Sequence, residues 1–324
     1  MAWQESAAAS AARAMAWAAA ATRGPRLSTL IFHRVLRQQD PIFPLELEAV
    51  RFERLMRIVA RAFHVLPLHE AVARLARDEL PARALTISFD DGYADNHDVA
   101  LPILHRLGLP ATVFVATAFL DGGRMWNDTV IECVRRTRHA SIDLAEFGLP
   151  VMPSGSAAEK RQAIDKLLPV VKYRLPEERE PLLQRLHALC GHPELPDDLM
   201  MTGEQVRALP RGGVDVGAHT VHHPILLTLP DDVALAEMQG SRQRLQELID
   251  APVPLFAYPN GRPGQDYDER HAGMARRLGF AAAVSTRQGV AKAGDDLFHL
   301  PRFTPWETGA LRWTASLALH HARA

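Results

Sequence analysis

Short apolar runs recur along the chain, separated by longer stretches in which apolar residues return every three or four positions. The runs at 28–33, 63–66, 85–89, 111–116, 214–218, 255–258, 280–285 and 298–303 have the length and side-chain type of buried strands. The stretches 45–62, 69–78, 96–107, 232–249 and 266–278 carry the helical period. Strands alternating with helices mark an α/β fold with a parallel sheet and crossover connections, and eight such strands suggest a barrel. The spacing is regular except between 117 and 213. There Pro150, Pro153 and Gly155 lead into a charged helical stretch from Ala157 to Leu189. This stretch reads as a helical lid or side element, too polar and too often interrupted by proline to hold a core of its own. The expected organisation is an Ala-rich N-terminal helix over 1–24 and one catalytic domain over 25–315, with the helical insertion at 117–213.

Composition narrows the function classes. The 324 residues, 47% hydrophobic and 23% charged, suffice for a well-buried core. Lys and Arg number 37 against 38 Asp and Glu, so the chain lacks the electrostatic footprint of a nucleic-acid binder. Cys133 and Cys190 lie far apart with no paired spacing, which indicates neither a disulfide framework nor a cysteine metal site. Gln4, Glu5, Arg13 and Arg23 interrupt the Ala-rich start, which therefore reads as neither a signal peptide nor a transmembrane segment. The expectation is a cytoplasmic protein, with peripheral contact at the inner membrane through Met15 and Trp17 as the alternative.

Two motifs carry chemistry. Ser88-Phe89-Asp90-Asp91-Gly92 directly follows the apolar run Leu85-Thr86-Ile87 and places two adjacent carboxylates where a strand ends. Successive strand residues face opposite ways, so both carboxylates reach one site only if the backbone turns there, and Gly92 eases such a turn. Read alone, the motif is equally a turn with a helix cap. The second motif is His219-Thr220-Val221-His222-His223, just past the strand-like Val214–Gly217. With 15 His in the chain, chance alone supplies about 0.7 such pairs, so position carries the weight. Both motifs lie beyond the carboxyl ends of strands, where barrels and open α/β sheets build their sites. Two imidazoles and one carboxylate suit a divalent cation. Zinc fits that set best, although Fe(II), Co or Ni accept the same donors. His222 faces away from its neighbours and reads as exposed, and Asp215 could orient one of the histidines.

Together the two motifs resemble those of the polysaccharide deacetylase family, whose shared catalytic region is the NodB homology domain. Ser88 to Gly92 matches that family's Thr/Ser-Phe-Asp-Asp-Gly motif, and His219 to His223 matches its His-Ser/Thr-x-x-His motif. Ala100–Leu104 and Gly108–Val115 resemble the helix and strand that follow the first motif. Leu30–Val35, Trp126-Asn127-Asp128 and Phe256–Gly261 are similar to the bacterial exopolysaccharide branch. The resemblance covers about residues 28–305 and implies a distorted (β/α) barrel with fewer than eight complete units.

It also implies that Asp91, His219 and His223 hold the metal while Asp90 acts as general base. The family's base-orienting arginine is missing before Tyr258-Pro259, and Arg302 of Leu300-Pro301-Arg302-Phe303 is the candidate substitute. Leu297-Phe298-His299 has the letters of the motif that supplies the general acid, with His33, at the end of the first strand, as its rival. Tyr258, Pro259, Asn260, Trp126 and Arg302 are the candidate substrate-binding residues. The expected activity is metal-dependent removal of N-acetyl groups from a bacterial polysaccharide or from its lipid- or nucleotide-linked sugar precursor, the partner being an acetylated amino-sugar glycan. Ester deacetylation is a close variant. A non-catalytic sugar-binding relative and a small-molecule amidohydrolase are the alternatives.

Overall fold

The structure is a computed structural model that describes residues 2–172, 174, 176–304, 307 and 309–323. In chain order its elements are α1 (Ala2–Arg23), β1 (Leu27–Phe32), α2 (Ala49–Ala62), β2 (His64–Val65), α3 (Leu68–Ala76), β3 (Ala84–Phe89), α4 (Leu101–Leu107), β4 (Ala111–Val115), α5 (Trp126–Arg136), β5 (Ser141–Ile142) and β6 (Met152–Pro153). There follow α6 (Ala157–Lys172), α7 (Pro176–Leu189), α8 (Gly203–Ala208), β7 (Val214–Ala218), α9 (Asp231–Ile249), β8 (Leu255–Ala257), α10 (Glu269–Arg277), β9 (Ala282–Val284) and α11 (Ala310–Arg323). The chain forms two compact units, one of Met1–Arg37, Leu47–Leu120 and Met201–Ala324, the other of Gln38–Glu46 and Asp121–Met200.

Among the described residues of the first unit, seven strands form one parallel sheet in the order β1-β3-β4-β7-β8-β9, with β2 paired to the start of β3. β1, β3 and β4 are buried throughout, as a sheet covered by crossover helices requires. Alternation nevertheless decides which face each side chain takes. On β3, Leu85, Ile87 and Phe89 join the apolar layer beneath the helices. Thr86 and Ser88 take the other face, where Thr86 Oγ1 donates to Thr29 Oγ1 at 3.0 Å and Ser88 Oγ donates to the Leu30 carbonyl at 2.7 Å. The same period on β8 separates Leu255 and Ala257 from Phe256 and Tyr258, which belong to two different apolar clusters.

The helical layer follows from the sequence in the same way. In α2, Phe52, Leu55, Met56 and Val59 form one buried stripe, and the Glu48 carboxylate caps the helix by accepting from the amides of Val50 and Arg51. Phe52 meets Phe32 of β1 edge-on at 5.7 Å and Phe89 of β3 at 5.9 Å, which anchors the helix over the strand ends that carry the site.

The run at 298–303 differs from its expectation as a strand. Among the described residues it makes only single parallel bridges, Leu300 to Val284 of β9 and Phe303 to Leu30 of β1. Pro301 explains this, because it has no amide proton to give a ladder. The segment nevertheless joins the last strand to the first, and Arg302 between its two bridges is fully buried. Arg302 Nη1 and Nη2 donate to Asp90 Oδ1 and Oδ2 at 2.6 and 2.7 Å, and Nε donates to the Ser285 carbonyl at 2.9 Å.

The second unit has an apolar cluster of its own, contrary to the expectation that it is too polar for one. Val130, Cys133 and Val134 of α5 pack with Ile164, Leu167 and Val171 of α6 and with Leu183 and Leu186 of α7. These residues recur at helical spacing, so each charged helix still presents one apolar face. Pro169 and Pro181 sit inside α6 and α7 without preventing it. Among the described residues no helix is long and apolar enough to cross a membrane.

Two outcomes follow. Arg302→Met leaves the Asp90 carboxylate buried without its partner, and urea denaturation should show a loss of about 3–5 kcal/mol. Adding Asp90→Leu should restore a large part of it. The second concerns His321 of α11, which is buried with Nδ1 2.8 Å from Ser28 Oγ and its ring edge-on to Phe63. Burial first, then the charges of Arg26, His320 and Arg83, push the imidazole down from 6.5 to about 4. The unfolded chain therefore binds a proton that the folded chain refuses. Stability is full above pH 6.5 and falls as pH drops toward 4, by roughly 3 kcal/mol for this group. His321→Gln should flatten the acid limb of the stability curve by that amount, measured by urea midpoints between pH 7 and 4.

Candidate active site

The site stands at the carboxyl ends of β3 and β7. Asp90 continues the inward phase of Thr86 and Ser88, and on a regular strand Asp91 would turn away from it. Instead the backbone enters the left-handed region at Asp91 (φ 76°) and Gly92 (φ 90°). A β-carbon at Gly92 would stand 3.0 Å from Val115 Cγ1, so glycine is required there both for conformation and for space. The amide of Ala116, just past β4, donates to the Asp91 carbonyl at 3.1 Å and holds the turn.

The histidine loop is built alongside. The amide of His219 donates to the Val115 carbonyl, and the amides of Thr117 and Ala118 donate to the carbonyls of Thr220 and Val221. Thr220 (φ 64°) and His223 (φ 53°) are both left-handed, an unfavourable state for a β-branched residue. Glu237 of α9 fixes this conformation by accepting from the amides of Val221 and His222 at 2.9 and 2.8 Å and from His222 Nδ1 at 2.7 Å. His222 is exposed and engaged there. Asp215 accepts from His69 Nδ1 at 2.6 Å instead of orienting a site histidine.

These loops bring Asp91, His219 and His223 together, with one donor atom from each within 4.8 Å of the others. Asp91 Oδ1 lies 3.5 Å from His219 Nε2 and 3.4 Å from His223 Nε2. That oxygen is buried and has no hydrogen-bond partner among the described residues. His219 Nδ1 donates to the Ala257 carbonyl at 2.8 Å, which leaves the Nε2 lone pair directed at the carboxylate.

Charge is balanced by proximity. Burial would raise Asp90, but Arg302, His219 and His33 outweigh it and hold the carboxyl below its usual range. Burial likewise opposes Asp91, which His219, His223 and His33 hold well below the carboxylate range. Burial pushes His223 down to about 4, so its ring is neutral at pH 7. His219 is buried too, yet the carboxylates of Asp91 and Asp90 raise it above its ordinary value. The two carboxylates thus call for positive charge at this point, and an orphaned buried oxygen between two imidazole nitrogens is the donor set that a divalent cation satisfies.

The remaining candidates are distributed differently. His33 is exposed just past β1 and close enough for its charge to act on Asp90, Asp91 and His223. His299 instead receives the Tyr267 hydroxyl contact at 3.0 Å and faces Glu269 at 3.0 Å and Asp296 at 3.9 Å. Tyr258 is fully buried, stacked on Tyr267 at 3.6 Å, and its hydroxyl donates to the Phe298 carbonyl. It has the outward, helix-facing phase of β8 and offers no exposed surface to a glycan. Pro259 is buried, whereas Asn260 (φ 56°) is partly exposed and its carbonyl accepts from Thr286 Oγ1. The Arg302 guanidinium is committed to Asp90 and Ser285 rather than open to substrate. Trp126 belongs to the second unit, where the Arg179 guanidinium lies 4.8 Å above its ring. Sequence reasoning missed Glu237, which carries no signal beyond being a carboxylate on a helix. It also missed Asp95 and Asn96, which stand close enough to the first motif to have been noticed.

Comparison with known proteins bears on the family and the fold. The family model described as polysaccharide deacetylase matches residues 77–144 and 189–283, half of the chain, and these segments contain both motifs. YxkH of Bacillus subtilis strain 168, which carries a polysaccharide deacetylase name, is 21% identical over 251 residues. That match spans 76% of this chain but only 62% of the relative. Among solved structures, the Streptococcus pyogenes deacetylase PplD in complex with acetate is similar with a TM-score of 0.57 at 21% identity, over 86% of this chain and 92% of that one. IcaB from Ammonifex degensii is similar with a TM-score of 0.59 at 19% identity, over 92% and 98% of the two chains. These structural likenesses are of fold, the curled parallel sheet with its surrounding helices. With the family model spanning both motifs, the chain belongs to the polysaccharide deacetylase family.

Proposed function

We propose that the protein is a metal-dependent deacetylase that hydrolyses N-acetyl groups on a bacterial polysaccharide or on its lipid- or nucleotide-linked sugar precursor. The observation that carries this reading is the buried Asp91 oxygen, unpartnered and facing two imidazole nitrogens, beside a second carboxylate that has a different partner. Asp91, His219 and His223 would hold the cation, zinc being the best match to one carboxylate and two imidazoles. Bound there, it would supply Lewis acidity for water and for the acetyl carbonyl.

The chain's own residues divide the proton work. Asp90 is kept ionised by Arg302 and accepts the proton of the attacking water through the lone pairs that the bidentate contact leaves free. Arg302 also fixes the plane of that carboxylate, because both of its oxygens are engaged from one side. His33 at the exposed edge delivers a proton to the departing amine, which cannot leave as an anion at neutral pH. The products are acetate and a free amino sugar.

Acetate release from N-acetylglucosamine oligosaccharides is the direct test. Asp90→Asn should lower the rate by about 10²–10⁴-fold. Prolonged treatment with a chelator should abolish the activity, and added zinc should restore it. Full activity in Asp90→Asn, or in protein stripped of metal, would contradict the reading.

A further inference from the structure

His33 has an exposed ring, yet the backbone that carries it is tied down on several sides. The Asp90 amide donates to the Phe32 carbonyl at 2.9 Å. Asn96 Nδ2 donates to the His33 carbonyl at 2.8 Å. The Val35 amide donates to Asp95 Oδ1 at 3.0 Å and Arg34 Nε to Asp95 Oδ2 at 2.8 Å. Asn96 Nδ2 also reaches Asp95 Oδ1 at 3.3 Å, and the Arg34 guanidinium lies 4.7 Å above the Tyr93 ring. Every residue from Phe32 to Val35 thus has a polar partner in the segment 90–96. Asn96 is buried, and the Asp95 side chain is 10% exposed.

The Asn96 contact falls at the head of the helix after the first motif. Residues 96–100 form a π-type turn before α4 begins, a local widening that often accompanies functional sites. The side chains of Asp95 and Asn96 are spent on the segment from His33 to Val35 and on each other rather than on capping their own helix. One stretch of chain therefore carries the carboxylates of the site and also holds the strip that bears the exposed histidine.

We propose that Asp95 and Asn96 are positioning residues that fix His33 relative to Asp90. The proposal rests on the reading above in which His33 is the general acid. Proton transfer to a leaving amine is steeply sensitive to placement, and a displacement of about 1 Å can cost roughly 10²-fold. A leaving group that needs no proton is far less sensitive. The clamp should thus matter for amides and little for activated esters, a selectivity that a purely structural role does not produce.

The experiment compares His33→Ala, Asp95→Ala, Asn96→Ala and the double variant His33→Ala/Asn96→Ala on two probes, an N-acetylglucosamine oligosaccharide and para-nitrophenyl acetate. Asp95→Asn and Asn96→Asp, which keep the side-chain volume, serve where the alanine variants fold poorly. Each clamp variant should lower kcat on the amide by about 10–100-fold, with the fall on the ester about tenfold smaller, KM within about twofold and zinc content unchanged. The double variant should be no slower than His33→Ala alone, because both changes remove one function. Equal losses on the two probes, losses that multiply in the double variant, or collapse of the fold in all the clamp variants would overturn the proposal. If His33→Ala itself leaves the ratio of the two activities unchanged, the assignment of His33 as general acid fails instead.

Discussion

The buried pair between Asp90 and Arg302 is the constraint on which the rest depends. Two opposite charges removed from water cost several kcal/mol each, and only close bidentate geometry with every remaining donor satisfied offsets that cost. Here both carboxylate oxygens, the Ser285 carbonyl and the Ser88 hydroxyl take the guanidinium's hydrogens. The pair also lies where the segment around Pro301 joins β9 and β1 by single bridges. A carboxylate that would otherwise be pushed neutral by burial is thereby held ionised beside Asp91, His219 and His223. Closure of the fold and the ionised state of Asp90, on which its proposed role as base depends, are the same interaction.

Around that pair the chain accepts local strain. Asp91, Thr220 and His223 all adopt left-handed backbone, each at a cost that surrounding contacts must offset. The offset comes from β4, whose exit amides hold the Asp91 and Thr220 carbonyls, and from Glu237, which gathers the donors of Val221 and His222. The result separates two carboxylates adjacent in sequence. Asp90 keeps the strand phase and meets Arg302, whereas Asp91 is turned toward His219 and His223.

Much of this was legible in the sequence, and the exceptions have physical causes. Apolar runs and helical periods located the strands and helices of the parallel sheet because burial on both faces leaves a continuous signal. The two motifs drew attention to Asp90, Asp91, His219 and His223 because charged and imidazole side chains past strand ends are costly unless used. Tyr258 was misjudged because its strand offers two phases, and only the packing of Phe256 against Phe280 and of Tyr258 against Tyr267 shows which one faces the helices. The separate core of the second unit was hidden because its apolar stripes on α6 and α7 are diluted by charge and interrupted by proline. Arg302 and His33 lie outside the segments that the family model matches, so their place near Asp90 is a property of how the chain closes.

The central claim is the division of labour between the two neighbouring carboxylates, and zinc binding by single variants tests it most directly. Titration of metal-free wild type, Asp90→Asn, Asp91→Asn and His223→Ala with zinc should give tight binding of a single ion for wild type and Asp90→Asn. Asp91→Asn and His223→Ala should bind at least about tenfold more weakly, because each loses a donor to the ion itself. Retention of wild-type affinity by Asp91→Asn, or its loss in Asp90→Asn while the protein stays folded, would contradict the account.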